Sequence, residues 1–548
     1  VGEEAPAREP AGGRRGGAIL AGPSREDALK EEPAAEGGGR AQLRSVVGSW
    51  RLLSVALLSF ASGLPLGLVW FAIPAWMARE GVDIRVIGLF TLAQAPWSFK
   101  LLWSPWMDRY PPPFLGRKRG WIVVGQIALF ALTLWLAGVS SRPDALWVIG
   151  GLALAIAFAS ATQDIAIDAY AVEVLQRSEQ GIATGSRTAF YRAAMLVSGG
   201  AAITLAAETS WAAVNLLLAL LYLPFVVVTA LAPEPEALPP SPRTLREAVW
   251  GPFVGFLAQH RALEILAFVV LYKLSDNLTQ SLTGPFLVQT GFSDFDVGVA
   301  RTTIGQGAMI FGVFLGGVLT DRIGLGRSLW IFGFLQLVSN LGYAVVAQVG
   351  VNQPVMYAAQ AFEHVSSGLG SGAFGVLLLR LTQKRFSATQ YALLSSLFTV
   401  PRVLAGPVTG VLAAAIGWRD FFVLTVLFGV PGLAMLARFV PWKARDVEFA
   451  VEAPRAGEPL GRWALAWRTC LGGVAAGGVA LGGLALAGGL QAVRGGRGFD
   501  VAPTLLALAK PGSVGEWTTS LGVLILALLG ALATAATLVA RRGVAPRA

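Results

Sequence analysis

Ser160-Ala161-Thr162-Gln163-Asp164-Ile165-Ala166-Ile167-Asp168-Ala169-Tyr170 closes a long apolar run and sets two carboxylates inside it. In a helix, Ser160, Asp164 and Asp168 share one face, because residues four apart lie one above the other. Acids within a membrane-length apolar run are rare, and they face a polar interior, a partner or a transport pathway. The stretch therefore predicts a membrane helix that lines something polar.

The rest of the chain agrees. It has 548 residues, 54% hydrophobic and 14% charged, with a mean hydropathy of +0.61. Soluble domains carry about 25% charged residues. The apolar residues here fall into blocks that match the ~20 helical residues needed to cross a bilayer core. An all-α polytopic membrane protein follows, embedded in a lipid bilayer. Continuous blocks, rather than short alternating ones, exclude a β-barrel. The net charge is +10, but the basic residues sit in short loops. The positive-inside rule accounts for them better than a nucleic-acid partner does. One cysteine, Cys470, and two histidines, His260 and His364, exclude an internal disulfide and a thiolate or multi-histidine metal centre. No cofactor or metal is expected. Residues 1–47, rich in Gly, Ala, Glu, Arg and Pro, read as a disordered tail and not as a signal peptide.

Fourteen spans are predicted. Six lie at about 51–76, 85–106, 119–139, 145–172, 185–207 and 211–232. Six more lie at about 261–284, 297–319, 328–348, 353–380, 390–416 and 420–440, and an extra pair at about 464–491 and 516–540. The expected domains are a tail (1–47), a six-helix bundle (48–232), a Pro-rich linker (233–260), a second six-helix bundle (261–441), a second linker (442–463) and the extra pair with its tail (464–548). The loops that carry Arg109, Arg117, Lys118, Arg119, Arg322, Arg327, Lys384 and Arg385 are the more basic ones, which puts both termini in the cytoplasm.

Sorting the charges by helix gives a repeat. Helix 4 has Asp164 and Asp168, helix 5 has Arg187 and Arg192, helix 7 has Lys273 and Asp276, helix 10 has Glu363 and His364, and helix 11 has Arg402. Away from their ends, helices 3, 6, 9 and 12 have none, as lipid-facing helices should. The same pattern in both halves predicts two related six-helix units around a central polar cavity, the major facilitator architecture. Lys273, Asp276, Asn277 and Gln280 form one polar stripe, and Gln360, Glu363, His364 and Ser367 another. Helix 1 carries Ser62-Gly63-Leu64-Pro65-Leu66-Gly67, a segment that invites breakage.

Two carboxylates close together in low dielectric hold a proton readily, since both ionise only at a cost. Asp164, Asp168, Asp276 and Glu363 are the candidates for proton coupling. Arg192, Arg402 and Lys273 suit an anionic substrate, with Gln163, Asn277, Gln280 and Gln360 as amide contacts. The bland readings are specific. Lys273 and Asp276 neutralise each other one turn apart, and Asp164 or Asp168 pairs with Arg192. His364 is a hydrogen-bonded interior histidine, Lys100 snorkels, and Glu173 and Arg187 reach water at the inner ends of their helices. Trp70, Trp97 and Tyr170 are candidates for stacking on a sugar.

Two loops carry a gate signature. Gly316-Gly317-Val318-Leu319-Thr320-Asp321-Arg322 follows helix 8, and Ser104-Pro105-Trp106-Met107-Asp108-Arg109-Tyr110 follows helix 2. Both resemble the major facilitator loop motif, which makes Asp108, Arg109, Asp321 and Arg322 conformational gating candidates.

From about residue 50 onward the chain resembles the AmpG-type muropeptide permeases, in the peptide/acetyl-coenzyme A branch of the major facilitator superfamily. The resemblance is carried by Phe60-Ala61-Ser62-Gly63-Leu64-Pro65, Phe99-Lys100-Leu101-Leu102-Trp103-Ser104-Pro105, Gln163-Asp164-Ile165 with Asp168, Tyr191-Arg192, Leu271-Tyr272-Lys273 with Asp276, Phe386-Ser387-Ala388-Thr389-Gln390, and Arg402-Val403 with Gly406-Pro407. It implies a proton-driven inner-membrane importer of a sugar-peptide, N-acetylglucosaminyl-anhydro-N-acetylmuramic acid with a short acidic peptide, that serves peptidoglycan recycling. It departs from the family at Pro401 before Arg402, where glycine is expected. A monomer is expected. The rivals are another polar or acidic cargo, such as an acyl-coenzyme A, and a transporter-fold receptor. No nucleophile–base or metal-ligand spacing suggests an enzyme.

Overall fold

The computed structural model describes residues 48–82, 93, 95–141, 146–235, 240–257, 262–397, 409, 413, 416–442, 444–447, 461–494, 498–512 and 514–542. The tail expected at residues 1–47 lies outside those residues. Nine helices among the described residues are long and apolar enough to cross a membrane. A tenth is formed if Gln353–Leu381 and Lys384–Leu397, bent by 96°, are taken together.

In chain order the described helices, spanning or not, begin with α1 (Trp50–Arg79), the last turns of α2 (Ser104–Arg109), α3 (Arg119–Val139), α4 (Leu146–Val174), α5 (Arg177–Glu208) and α6 (Trp211–Leu231). A linker helix, Leu245–Leu257, follows. Next come α7 (Ala262–Leu271 and Leu274–Thr290), α8 (Phe295–Ile323), α9 (Leu325–Val349), α10 (Gln353–Leu381), the start of α11 (Lys384–Leu397) and α12 (Trp418–Phe439). The extra pair is α13 (Arg462–Arg494) and α14 (Val514–Arg542). Helix 2 before Ala95 and helix 11 beyond Leu397, with Arg402, lie largely or wholly outside the described residues.

The packing repeats. α3 packs on α4 and α6, as α9 packs on α10 and α12; α1 touches α6, as α7 touches α12. The halves meet where α5 lies along α8 and touches α10. The helices without charge turn large apolar side chains outward, among them Trp135, Val227, Phe334 and Leu427.

The Pro65 segment does not break. α1 runs through it and widens into a π-helical turn at Leu68–Ala72. Its glycines serve contact instead: a Cβ at Gly63 would collide with the Tyr191 carbonyl of α5, and one at Gly67 with Ser198. The linker holds a helix that its prolines and charges concealed. Gln390 Nε2 donates to the Pro252 carbonyl (2.9 Å) and Gln383 Nε2 to that of Gly255 (3.1 Å), so this helix is tied to the start of α11. α14 packs on α13 and on the linker helix.

Candidate functional site

Three polar assemblies stand out, and each is built from helix phase. In the first half, α4 presents Asp164 and Asp168 toward α1 and the end of helix 2. Lys100 Nζ lies 2.7 Å from Asp164 Oδ2 and 3.3 Å from Asp168 Oδ2. Arg187 of α5 donates to Asp168 Oδ1, and its Nε donates to Ser59 Oγ at 3.2 Å. Ser62 Oγ donates to Asp164 Oδ1 at 2.7 Å. Buried charges persist where they are paired and hydrogen-bonded, and this set is both.

Five expectations change here. Lys100 does not snorkel: it is 6% exposed and bridges both acids. Arg187 is held on Asp168 rather than reaching for water. It is Arg187, not Arg192, that meets the acid pair. Gln163 packs its stem against Gly125 of α3, buried, with neither amide atom hydrogen-bonded. Ser160 Oγ is likewise buried without a partner. Tyr170 is buried and donates its hydroxyl to the Pro233 carbonyl (2.8 Å), so its ring offers no open face for stacking on a sugar. Trp70 and Trp97 stand edge to face, 6.1 Å apart.

The second assembly lies between α7, α9 and α10. α7 breaks at Tyr272–Lys273, and Lys273 reaches Asp276 Oδ2 (2.9 Å), the Ser367 carbonyl (2.9 Å) and Gln336 of α9. Ser367 Oγ donates to Asp276 Oδ2 at 2.8 Å. The pairing one turn apart is as expected from spacing; Gln336 and Tyr343, on a helix read as apolar, were missed. Gln280 Nε2 donates to Glu363 Oε1 (3.0 Å), and Tyr343 donates its hydroxyl to Gln360 Oε1 (2.9 Å). His364 Nδ1 lies 2.6 Å from Glu363 Oε2 and 3.1 Å from the Gln360 carbonyl oxygen. Asn277 is half-buried and its amide nitrogen has no partner. Arg192 of α5 crosses between the halves, donating from Nη1 to Gln306 Oε1 of α8 at 2.6 Å.

The third assembly is a pair of clamps at the loop end of the bundle. The first backbone N–H groups of a helix lack intrahelical partners and carry partial positive charge, so a carboxylate caps them well. Asp108, at the end of α2, accepts from Thr389 N (2.9 Å), Thr389 Oγ1 (2.8 Å) and Ala388 N (3.3 Å), at the start of α11. Lys118 Nζ donates to Asp108 Oδ1 at 2.6 Å. Glu173 is buried beside them and accepts from Ser387 Oγ (2.5 Å), so it does not reach water. Asp321, at the end of α8, accepts from Gly181 N (2.9 Å) and Ile182 N (2.8 Å), at the start of α5.

The arginines beside these acids do other things. Arg109 lies over the Tyr110 ring at 4.8 Å, and Arg322 is exposed. The cation near Asp321 is Arg380 of α10, which donates to Gln180 Oε1 (3.3 Å) and to Asp446 Oδ1 (2.8 Å). Partial burial pushes the Asp446 carboxyl up, but Arg380 and the Leu325 N–H outweigh it and hold the group below the usual carboxylate range.

Comparison with known proteins fits this geometry. A family model described as Major Facilitator Superfamily matches residues 55–400. The chain is 44% identical over 382 residues to the anhydromuropeptide permease of Escherichia coli (strain K12), covering 69% of this chain and 78% of that protein. It is 27% identical over 405 residues to putative transporter AmpG 4 of Rickettsia conorii, covering 72% of this chain and 98% of that protein. Among solved structures, the Escherichia coli fucose:proton symporter superposes with a TM-score of 0.55 at 12% identity, over 71% of this chain and 98% of that one, a likeness of fold.

Proposed function

The chain belongs to the AmpG-type permeases of the major facilitator superfamily, and on that footing we propose that it imports anhydromuropeptides across the bacterial inner membrane by proton-driven alternating access, for peptidoglycan recycling. The E. coli relative carries that cargo in its name. The observation here that carries the reading is Arg192. It is a guanidinium at the seam of the two halves, bonded to Gln306, with Asn277 and Gln280 on the polar face of α7 and Gln360 on that of α10. Guanidinium binds carboxylates through paired hydrogen bonds, and amides suit N-acetyl and hydroxyl groups. That mixture matches a sugar with an acidic peptide.

The division at 48–232 and 261–441 supplies the two rocking units. The clamps at Asp108 and Asp321 shut the cytoplasmic end, with both termini on that side. One of Asp164, Asp168, Asp276 or Glu363 takes part in carrying the proton, and the working unit is a monomer.

The test is uptake of labelled GlcNAc-anhydroMurNAc-tripeptide by proteoliposomes under an imposed proton gradient. Accumulation that collapses with the gradient is expected. No accumulation, or accumulation indifferent to the gradient, overturns the reading.

A further inference from the structure

Intramembrane charge is shared unevenly between the halves. In the first, Asp164 and Asp168 face Lys100 and Arg187, two acids against two cations. In the second, Asp276 takes Lys273. Glu363, 0% exposed, has no Lys or Arg within ion-pair distance among the described residues. Its Oε1 accepts from Gln280, and its Oε2 stands 2.6 Å from His364 Nδ1. A lone buried carboxylate is strongly disfavoured. The group touching it that can become positive is His364, by taking a proton. Adding a proton to the Asp164–Asp168 set would instead leave a cation in excess.

The imidazole is oriented for the task. Nδ1 faces two acceptors, Glu363 Oε2 and the Gln360 carbonyl, so it keeps its hydrogen in either charge state. Nε2 is then the atom that gains or loses the proton. It points at Gly305 of α8, where an added Cβ would lie 3.0 Å away, and the side chain is 15% exposed. The charged and titratable groups around the pair are Lys273 and Asp276 on α7, Tyr343 on α9 and Arg192 on α5. Arg192 is bonded to Gln306, next to Gly305. Arg301 of α8 stands near Gly284 of α7.

We infer that Glu363 and His364 together form the proton-binding site of this carrier. Nε2 of the neutral imidazole gains H⁺ from the outer aqueous phase and becomes N–H. The Glu363 carboxylate stays ionised, and the pair passes from one net negative charge to none. Release to the inner phase reverses the step. Arg192, a fixed cation on the opposite half, repels the protonated ring when the halves close without an anion between them, and a bound carboxylate relieves that repulsion. The inference rests on the proton-driven import proposed above.

Proteoliposomes report two quantities: accumulation driven by a proton gradient, and gradient-free exchange of labelled for unlabelled anhydromuropeptide. Glu363→Gln and His364→Gln are each expected to keep exchange while losing about tenfold or more of driven accumulation. Wild-type accumulation by either variant overturns the assignment. A second measurement needs no active variant. The chain has two histidines, so ¹⁵N-histidine spectra with His260→Gln isolate the His364 ring. Titration of Nε2 between about pH 5 and 9 with Nδ1 protonated throughout supports the site. A ring that does not titrate, or whose neutral form carries its hydrogen on Nε2, overturns it. If the wild type moves no anhydromuropeptide, the import reading fails, and the ring titration still judges this one.

Discussion

The carboxylate of Asp108 receives both the backbone N–H and the hydroxyl of Thr389, at 2.9 and 2.8 Å and 281 residues along the chain. Asp321 does the same kind of work in the opposite sense on Gly181 and Ile182. Each half thus holds the first turn of a helix that belongs to the other. Under the proposed alternating access, this loop end opens only when these caps are released.

Removing either acid should therefore shift the carrier toward an open loop end. A lost N-cap costs about 0.5–2 kcal/mol. Asp108 also faces buried Lys118 and Arg117, which Asp108→Ala would leave sharing Glu173 alone at 3.9 and 3.8 Å, a further cost of up to about 3–5 kcal/mol. We expect Asp108→Ala to lower the melting temperature more than Asp321→Ala. Spin labels at the exposed positions Arg177 and Arg327 should separate in Asp321→Ala; an unchanged distance distribution contradicts the clamp.

The clamp at α5 also requires bare backbone. A Cβ on Gly181 would strike the Gly317 carbonyl and Asp321, and one on Gly317 would strike the Gly181 carbonyl. Gly181→Ala and Gly317→Ala are expected to weaken closure in the same distance measurement. Gly478→Ala, in α13 with nothing within 4 Å of its Cβ, should leave uptake and stability unchanged.

Sequence carried the polar stripes well, because Lys273–Asp276 and Gln360–Glu363–His364 depend only on spacing within one helix. It failed where helices must be phased against each other. Arg187 and Arg192 are five residues apart, about 140° around a helix, so one faces α4 and the other α8; nothing local says which. Lys100 read as a snorkelling end residue, yet a 3₁₀ step at Lys100–Leu102 keeps it inside, against α4. Glu173 looked solvated until the start of α11 closed over it. The linker helix hid behind Pro252 and its charged neighbours.

Lys100 is the common partner of two acids, so its removal should be costly. Lys100→Met is predicted to destabilise the protein by about 3–5 kcal/mol. Asp164→Asn in the same chain should restore much of that loss. A double-mutant cycle on detergent-solubilised protein measures it, and additive effects would refute the coupling.

Arg192 should govern affinity for the acidic cargo. Arg192→Ala is expected to weaken binding by about tenfold or more. Arg192→Lys should recover only part, because an ammonium lacks the paired donors. Titration calorimetry in detergent with anhydromuropeptide, compared with the same sugar lacking its peptide, reads the effect; equal losses for both ligands would point away from the carboxylates.

Asp446 supplies a pH signature outside the membrane. Its folded-state value is depressed by Arg380, so its contribution is present above the unfolded value of about 3.9 and fades as pH falls through the folded one. Thermal shifts of wild type and Asp446→Asn should differ slightly at neutral pH and converge below about pH 4. A gap that persists in acid would assign the effect to something other than charge.

Both clamps close on main-chain N–H groups, at 181, 182, 388 and 389. Every residue except proline brings that donor. Over evolutionary time, the side chains at Ile182 and Ala388 can drift without cost to the lock itself, whereas the two acids cannot. Proline at Ile182 is accordingly the substitution that deletes a donor while sparing both acids.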